Sequence, residues 1–430
     1  MTTVTTDAQT GQKSHGILKL ERRRRITMGI LFLVAAIFIW LVFAVDVEPG
    51  LETRFMMNPG GGSAEAADWV FPSLTYLNMI AGICALLGAY QIIRGFGKFT
   101  NGILALVAGL FLFGFLTWAT AGGQTNLAGL LRVMVVRAVP LTLGAMSGIL
   151  CERGGIINIA IEGMMLTAAF VSTVFSSLFH NLWIGLLAGV LAGGLMGLIH
   201  GWLSIKYKIN QIISGTVINI FATGITSYLS SKYIQKVEFQ YLNEPGMFPQ
   251  INVPVLSKIP FIGPILFSHN MYVFAMFFFV ILLTFMLFKT RWGLRLRSVG
   301  EHPKAADTLG INVHRTQYMA VILGGMMAGF GGTYFSLGSS GRFDEVMTAG
   351  RGFIGLAAMI FGNWHPVGSM GAGLLFGFFD SLSTKSSLLQ VPIPSEFIGM
   401  APYLATIIVL AGVIGRSHAP AAEGEPYEKE

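Results

Sequence analysis

The sequence predicts an all-α, polytopic membrane protein with about 10–12 transmembrane segments, and composition, block structure and the absence of strand alternation carry that reading. Hydrophobic residues make up 53% of the chain and charged residues only 11%, about half the charged share of a soluble domain. The apolar residues fall in long blocks such as ITMGILFLVAAIFIWLVFAV (26–45), MYVFAMFFFVILLTFMLF (271–288) and FIGMAPYLATIIVLAGVIG (397–415). Each approaches the roughly 20 residues a helix needs to cross a bilayer. Lipid-exposed backbone must bond to itself, which helices achieve within one segment, and the alternating segments of roughly ten residues that would mark a β-barrel are not found.

Taken in order, the candidate spans lie near 26–45, 71–93, 101–120, 127–149, 156–178, 182–203, 211–231, 271–288, 316–338, 350–363, 366–384 and 398–415. The first follows ERRRR (21–25); it has the basic and apolar parts of a signal peptide, but its apolar run is too long and lacks a small-residue cleavage site, so it is expected to be retained. The tenth, 350–363, is short and glycine-rich and reads either as a crossing or as a re-entrant half-helix. Lys and Arg concentrate in ERRRR, KYK (206–208) and 289–315, whereas loop 46–69 carries five acids against Arg54 alone. Basic loops stay in the cytoplasm, and an even number of crossings places both termini there. The net charge of +7 is therefore read as topology, with no nucleic-acid partner. The terminal tails, 1–16 and 418–430, are polar and expected to be disordered.

Polar groups inside the spans are the candidate functional residues, because a charge at the bilayer centre costs about 2.5–3.5 kcal/mol unless it meets a cavity or a partner. In CERGGIINIAIEGMML (151–166), Glu152 and Arg153 lie at a span end and read as a loop ion pair as readily as a functional one. Asn158 and Glu162 are one turn apart on one helix face, after a Gly154-Gly155 break that would leave free amide donors and a positive helix end in the membrane. They read as part of a substrate path or gate, or as bonds between helices. Thr216, Asn219, Thr223 and Ser227 form a polar stripe along 210–231; the hydroxyls can bond to their own helix, but the Asn219 amide needs external partners. The small residues of GGMMAGFGG (324–332) and GSMGAGLLFG (368–377) suit tight helix contacts. In 298–311, Pro303 can open a short helix and Gly310 can close it, with Ala305, Ala306 and Leu309 giving one small, partly apolar face for a docking partner; a solvated linker is the alternative.

Several ordered segments, ERGGIINIAIEGMMLTAAF (152–170), NQIISGTVINIFATGITSYL (210–229), VGEHPKAADTLGINVHRTQ (299–317) and GRGFIGLAAMIFGNWHPVGSMGAGLLFG (350–377), resemble the permease subunits of bacterial ABC importers. Within them they are most similar to the nucleoside and simple-sugar branch of the group that includes ribose and branched-chain amino-acid permeases. The resemblance covers about residues 127–415 and implies a type II importer permease in the bacterial plasma membrane, working with an ABC ATPase subunit, a second permease subunit and an extracytoplasmic substrate-binding lipoprotein. It divides the chain into a basic tail (1–25), additional spans (26–120), a permease domain (121–415) and a C-terminal tail (416–430). Carried onto this sequence, the family's coupling segment falls on 298–311, with Gly300, Ala306 and Gly310 on its pattern and Ala305 beside them. The substrate path is assigned to Asn158, Glu162, Asn219 and Thr223.

No G-x-x-x-x-G-K-[ST] loop occurs in the chain, so ATP is handled elsewhere and the chain is not expected to be an enzyme. Neither a cofactor nor a metal site is expected: Cys84 and Cys151 stand apart, and the histidines are scattered. A permease for another small solute, such as ribose or a branched-chain amino acid, is the nearest alternative. An ion-coupled secondary transporter would have to rely on Glu162 and Asp380, and a membrane enzyme lacks a clustered catalytic set.

Overall fold

Asparagine and threonine side chains mark where several helices begin, because their oxygens can accept the first, otherwise unbonded, helical amides. Asn181 accepts from Trp183 N and Ile184 N, Asn210 from Ile212 N and Ile213 N, and Asn312 from Arg315 N. The computed structural model describes residues 4–59, 66–386, 397, 399–400, 403–404 and 418–429. Among them, nine helices are long and apolar enough to cross a membrane, and the chain is a multi-pass helical membrane protein. The chain divides into two compact units, one formed by residues 4–58 and 66–127 and the other by 128–386 with 418–429.

In the first unit, α1 (Val4–Phe38) runs on through a π-helical turn to Ala44, and α2 (Ser73–Ile93) and α3 (Thr100–Ala119) pack beside it. Between α1 and α2, β1 (Glu52–Met56) pairs antiparallel with β2 (Trp69–Pro72), and β3 (Gln124–Asn126) adds parallel on its other side. Phe32, Ile39, Leu77 and Cys84 form the core. Phe55, Trp69 and Phe71 carry the sheet onto Phe113 of α3 through ring contacts.

The second unit contains α4 (Leu127–Glu152), α5 (Ile161–Phe179), α6 (Leu182–Gly201) and α7 (Gln211–Leu229). The loop that follows is folded: β4 (Gln250–Asn252), a short α8 (Ile262–Leu266) and β5 (Ser268–Asn270), antiparallel to β4, lead into α9 (Met271–Lys289). Next come α10 (Arg291–Glu301), α11 (Pro303–Thr308), α12 (Val313–Thr333), continued as a π-helix to Ser340, α13 (Arg351–Phe361) and α14 (Pro366–Ser386). At roughly 1.5 Å per residue α13 is about 17 Å long, half of the roughly 30 Å hydrocarbon core. The expected final span, 398–415, lies almost wholly outside the described residues.

The small residues of 324–332 act as the sequence suggests. A Cβ on Gly193 of α6 would sit 2.5 Å from Gly325 O and from Gly329 Cα of α12. Backbones this close gain dispersion contact without a side chain between them, the main attraction available to helices in lipid.

Candidate functional site

The polar stretch 151–166 is the turn between α4 and α5. Gly155 takes φ +85° there, a left-handed conformation that a β-carbon disfavours. The helix-opening amides are not left free, as the sequence suggests, because neighbouring side chains reach them. Asn219 Oδ1 accepts from Gly163 N (2.8 Å) while its Nδ2 donates to Ile159 O (2.9 Å), fastening α7 to the start of α5. Asn158, fully buried, accepts from Ala160 N and directs its Nδ2 to Ser147 Oγ and Cys151 Sγ, both 3.4 Å away. Gln211 Oε1 accepts from Ile157 N, and His200, absent from the sequence-based candidates, joins Ile157 O to Ser214 Oγ. Thr223 is half-buried, with its hydroxyl donated to Asn219 O of its own helix.

Glu162 has a more specific position. Its Oε1 accepts from Thr348 Oγ1 (2.6 Å) and Gly350 N (2.8 Å), and its Oε2 from Gly352 N (2.6 Å). The carboxylate thus caps the N-terminus of α13 from within the first turn of α5, so both helix dipoles favour its negative charge. Beyond the other end of α13, Trp364 Nε1 donates to Glu152 Oε2, and Arg153 Nη2 donates to Trp364 O at 3.1 Å. Val346 (φ +55°), Ala349 (+45°) and Trp364 (+52°) hold left-handed backbone next to these contacts. Such conformations persist where surrounding bonds over-determine them. The end of α4 with Arg153 and the first turn of α5 therefore hold α13 at its two ends.

A second polar feature joins Asp380, already a candidate, to Arg137, which the sequence does not single out. Arg137 lies about 15 Å along α4 and forms an ion pair with Asp380 of α14, Nη1 to Oδ2 2.5 Å, with side-chain exposures of 26% and 41%. Tyr334 donates to Val136 O (3.1 Å), and the Arg351 guanidinium lies over the Phe335 ring. The available signal was an arginine inside an apolar run, which normally faces protein or a wet cavity. Both carboxylates weighed for ion coupling are engaged, Glu162 by three donors and Asp380 by Arg137. Among the described residues no group of three or more His, Cys, Asp and Glu is placed to hold a metal.

In 298–311, Pro303 opens α11 and Gly310 follows its end at φ +81°. Gly300 abuts the Arg153 carbonyl, where a Cβ would clash. The two alanines differ, because successive residues on a helix point about 100° apart: Ala305 is exposed, whereas Ala306 is buried against Val299, Val313 and Tyr427. Of the expected face Ala305, Ala306 and Leu309, therefore, Ala305 and Leu309 point outward, Leu309 being 81% exposed, and Ala306 is corrected to a core position. The C-terminal residues, expected to be disordered, are seated here. Ala422 N bonds to Gly300 O, Gly424 N to Gly155 O, and Lys208 pairs with Glu428.

The described residues thus combine a membrane-crossing helical bundle with a short helix capped at its N-terminus, a half-exposed ion pair between α4 and α14, and a separate short helix in a basic loop, and the sequence places this bundle among permeases. The chain belongs to the family described as the branched-chain amino acid transport system / permease component, whose pattern matches residues 130–414. It is 41% identical over 304 residues to the guanosine ABC transporter permease protein NupQ of Bacillus subtilis (strain 168), covering 69% of this chain and 95% of that protein. The nucleoside ABC transporter permease protein NupC of Lactococcus lactis subsp. cremoris (strain MG1363) is 42% identical over 307 residues, with the same shares covered. A putative glucose ABC transporter permease protein of Haloferax volcanii, TsgC13, is 31% identical over 330 residues, covering 70% of this chain and 98% of its own. No solved structure matches the chain.

Proposed function

We propose that this chain is the path-forming permease subunit of an ATP-driven importer of nucleosides or simple sugars, with nucleosides favoured. The observation that carries the reading is 41–42% identity across 95% of two permeases named for guanosine and nucleosides, against 31% for the glucose relative. An ABC ATPase subunit supplies the energy, a second permease subunit completes the path, and an extracytoplasmic lipoprotein delivers the solute. The distribution of Lys and Arg supports placing α10, α11 and both termini in the cytoplasm of a bacterial cell. In that orientation Ala305 and Leu309 face the ATPase, while Gly300, Ala306 and Gly310 shape the segment that presents them.

The path follows the face of Arg137 and Asp380, since a half-exposed arginine inside the membrane-crossing α4 is tolerated beside water or a partner and costly beside lipid. Glu162 acts on the path by fixing α13, the gate, Asn158 and Asn219 act by bracing the start of α5 that carries Glu162, and Thr223 lies one turn along from Asn219. Residues 26–120 are additional spans before the permease domain, and the family match begins only at 130.

The test is uptake of radiolabelled guanosine and glucose by proteoliposomes holding the complete importer, with and without ATP. Uptake of guanosine that requires ATP, falls at least tenfold in Arg137→Gln and Asp380→Asn, and leaves subunit assembly intact is the expected result. Uptake driven by an ion gradient without ATP would overturn the assignment.

A further inference from the structure

The first unit holds a cavity of about 670 Å³ between the middle of α1, the end of α2 and the start of α3, lined by Arg22, Arg24, Arg25, Arg94 and Lys98 against the carboxylate of Glu21. Like charges gathered around one space repel one another unless an anion joins them. Little inside the protein supplies it. Arg24 donates to Asn101 Oδ1, a neutral acceptor, and among the described residues none of Arg22, Arg25, Arg94 and Lys98 forms an ion pair. The Arg25 Nε is buried without any hydrogen-bond partner. A donor hidden from water and left unbonded is costly, and an anion in the cavity would satisfy it.

Its depth points to the source of the missing group. The apolar run of α1 follows ERRRR and starts at Ile26, α2 ends at Ile93 and α3 starts at Thr100, which puts the cavity at the polar boundary of the apolar segments. Ile93 and Phe99, neighbours in sequence of Arg94 and Lys98, are 72% and 77% exposed and offer apolar surface beside the charged mouth. Guanidinium groups bind phosphate oxygens in pairs, and basic pockets between membrane helices suit anionic headgroups.

We propose that this cavity binds a phosphate-bearing anion, and its position favours the headgroup of an anionic phospholipid, with acyl chains running along Ile93 and Phe99. The binding anchors the first unit to anionic membrane.

The test measures binding of water-soluble dihexanoyl phosphatidylglycerol, dihexanoyl phosphatidylcholine and inorganic phosphate to the purified full-length chain in detergent, by calorimetry. Saturable binding of the glycerol lipid is expected, with affinity about fivefold lower in Arg94→Gln and in Lys98→Gln. Arg23→Gln, which removes the same charge from α1 outside the cavity lining, should bind as the parent does. Both Arg94 and Lys98 are exposed, and thermal unfolding of each variant confirms that it is folded. Equal losses in Arg23→Gln and Arg94→Gln, or equal binding of the choline lipid, would overturn the site. Inorganic phosphate binding as tightly as the glycerol lipid would support the anion site and overturn the lipid as its source.

Discussion

Replacing Glu162 with Gln keeps the shape of the side chain and removes its charge, so it isolates the cap on α13. Three donors converge on two oxygens: Thr348 Oγ1 and Gly350 N on Oε1, Gly352 N on Oε2. A glutamine oxygen can replace only one of those acceptors, and its NH2 group then faces an N–H donor. With the oxygen at the Oε1 position, two bonds survive without their charge and Gly352 N is left unpaired. Hydrogen bonds to charged groups contribute about 1.5–3 kcal/mol each, and an orphaned buried donor costs about 1–3 kcal/mol. Loss of the anion at two helix N-termini adds up to about 1 kcal/mol. The variant should therefore lose about 2–4 kcal/mol of stability, felt first in the left-handed stretch around Val346 and Ala349. Thr348→Val removes one donor and should cost about 1–2 kcal/mol, and the double variant should show coupling of at least about 0.5 kcal/mol, because the two groups are in contact. Denaturant unfolding of the chain in detergent measures the first effect, and uptake by the reconstituted importer measures whether the gate depends on it. A Gln variant within about 0.5 kcal/mol of the parent, with full uptake, would refute the cap.

Gly193→Ala should destabilise the α6–α12 contact by about 1–3 kcal/mol through overpacking, while Gly224→Ala on α7, where a Cβ meets nothing within 4 Å, should be neutral or gain up to about 1 kcal/mol from helix propensity; thermal unfolding of the pair decides. Ala306→Glu places a charge in the buried contact with Val299, Val313 and Tyr427 and should lower stability, whereas Ala305→Glu should leave folding intact and weaken co-purification of the proposed ATPase. Burial raises the Glu423 carboxyl above the usual range, and its side chain hydrogen-bonds to Glu152. A carboxyl with a raised folded value stabilises the docked tail at low pH and loses that contribution as pH rises through it. Proteolysis of residues 418–429 should therefore quicken as pH rises, and Glu423→Gln should weaken the dependence, Glu152 beside it being unchanged; a flat profile in the parent would contradict the sign.

Composition and block length are enough to make the chain a bundle of membrane helices, because lipid allows its backbone few other solutions. The sequence also marked where the short helix of the basic loop begins and ends, at Pro303 and Gly310, since capping is a local matter of one or two residues. It singled out Asn158, Glu162 and Asn219 as polar groups that had to be satisfied. It could not name their partners: Glu162 meets Gly350 and Gly352 across 188 and 190 residues of chain, and no local pattern encodes a contact that far apart. The same limit hid Arg137, whose meaning comes from Asp380, 243 residues away. It also left Ala305 and Ala306 equivalent until packing turned one outward and buried the other. The C-terminal residues read as disordered because polar, proline-bearing composition lacks a core of its own. Tyr427 takes its core from Val299, Ala306 and Val313, so the order of the tail is decided by a surface that only the folded chain creates.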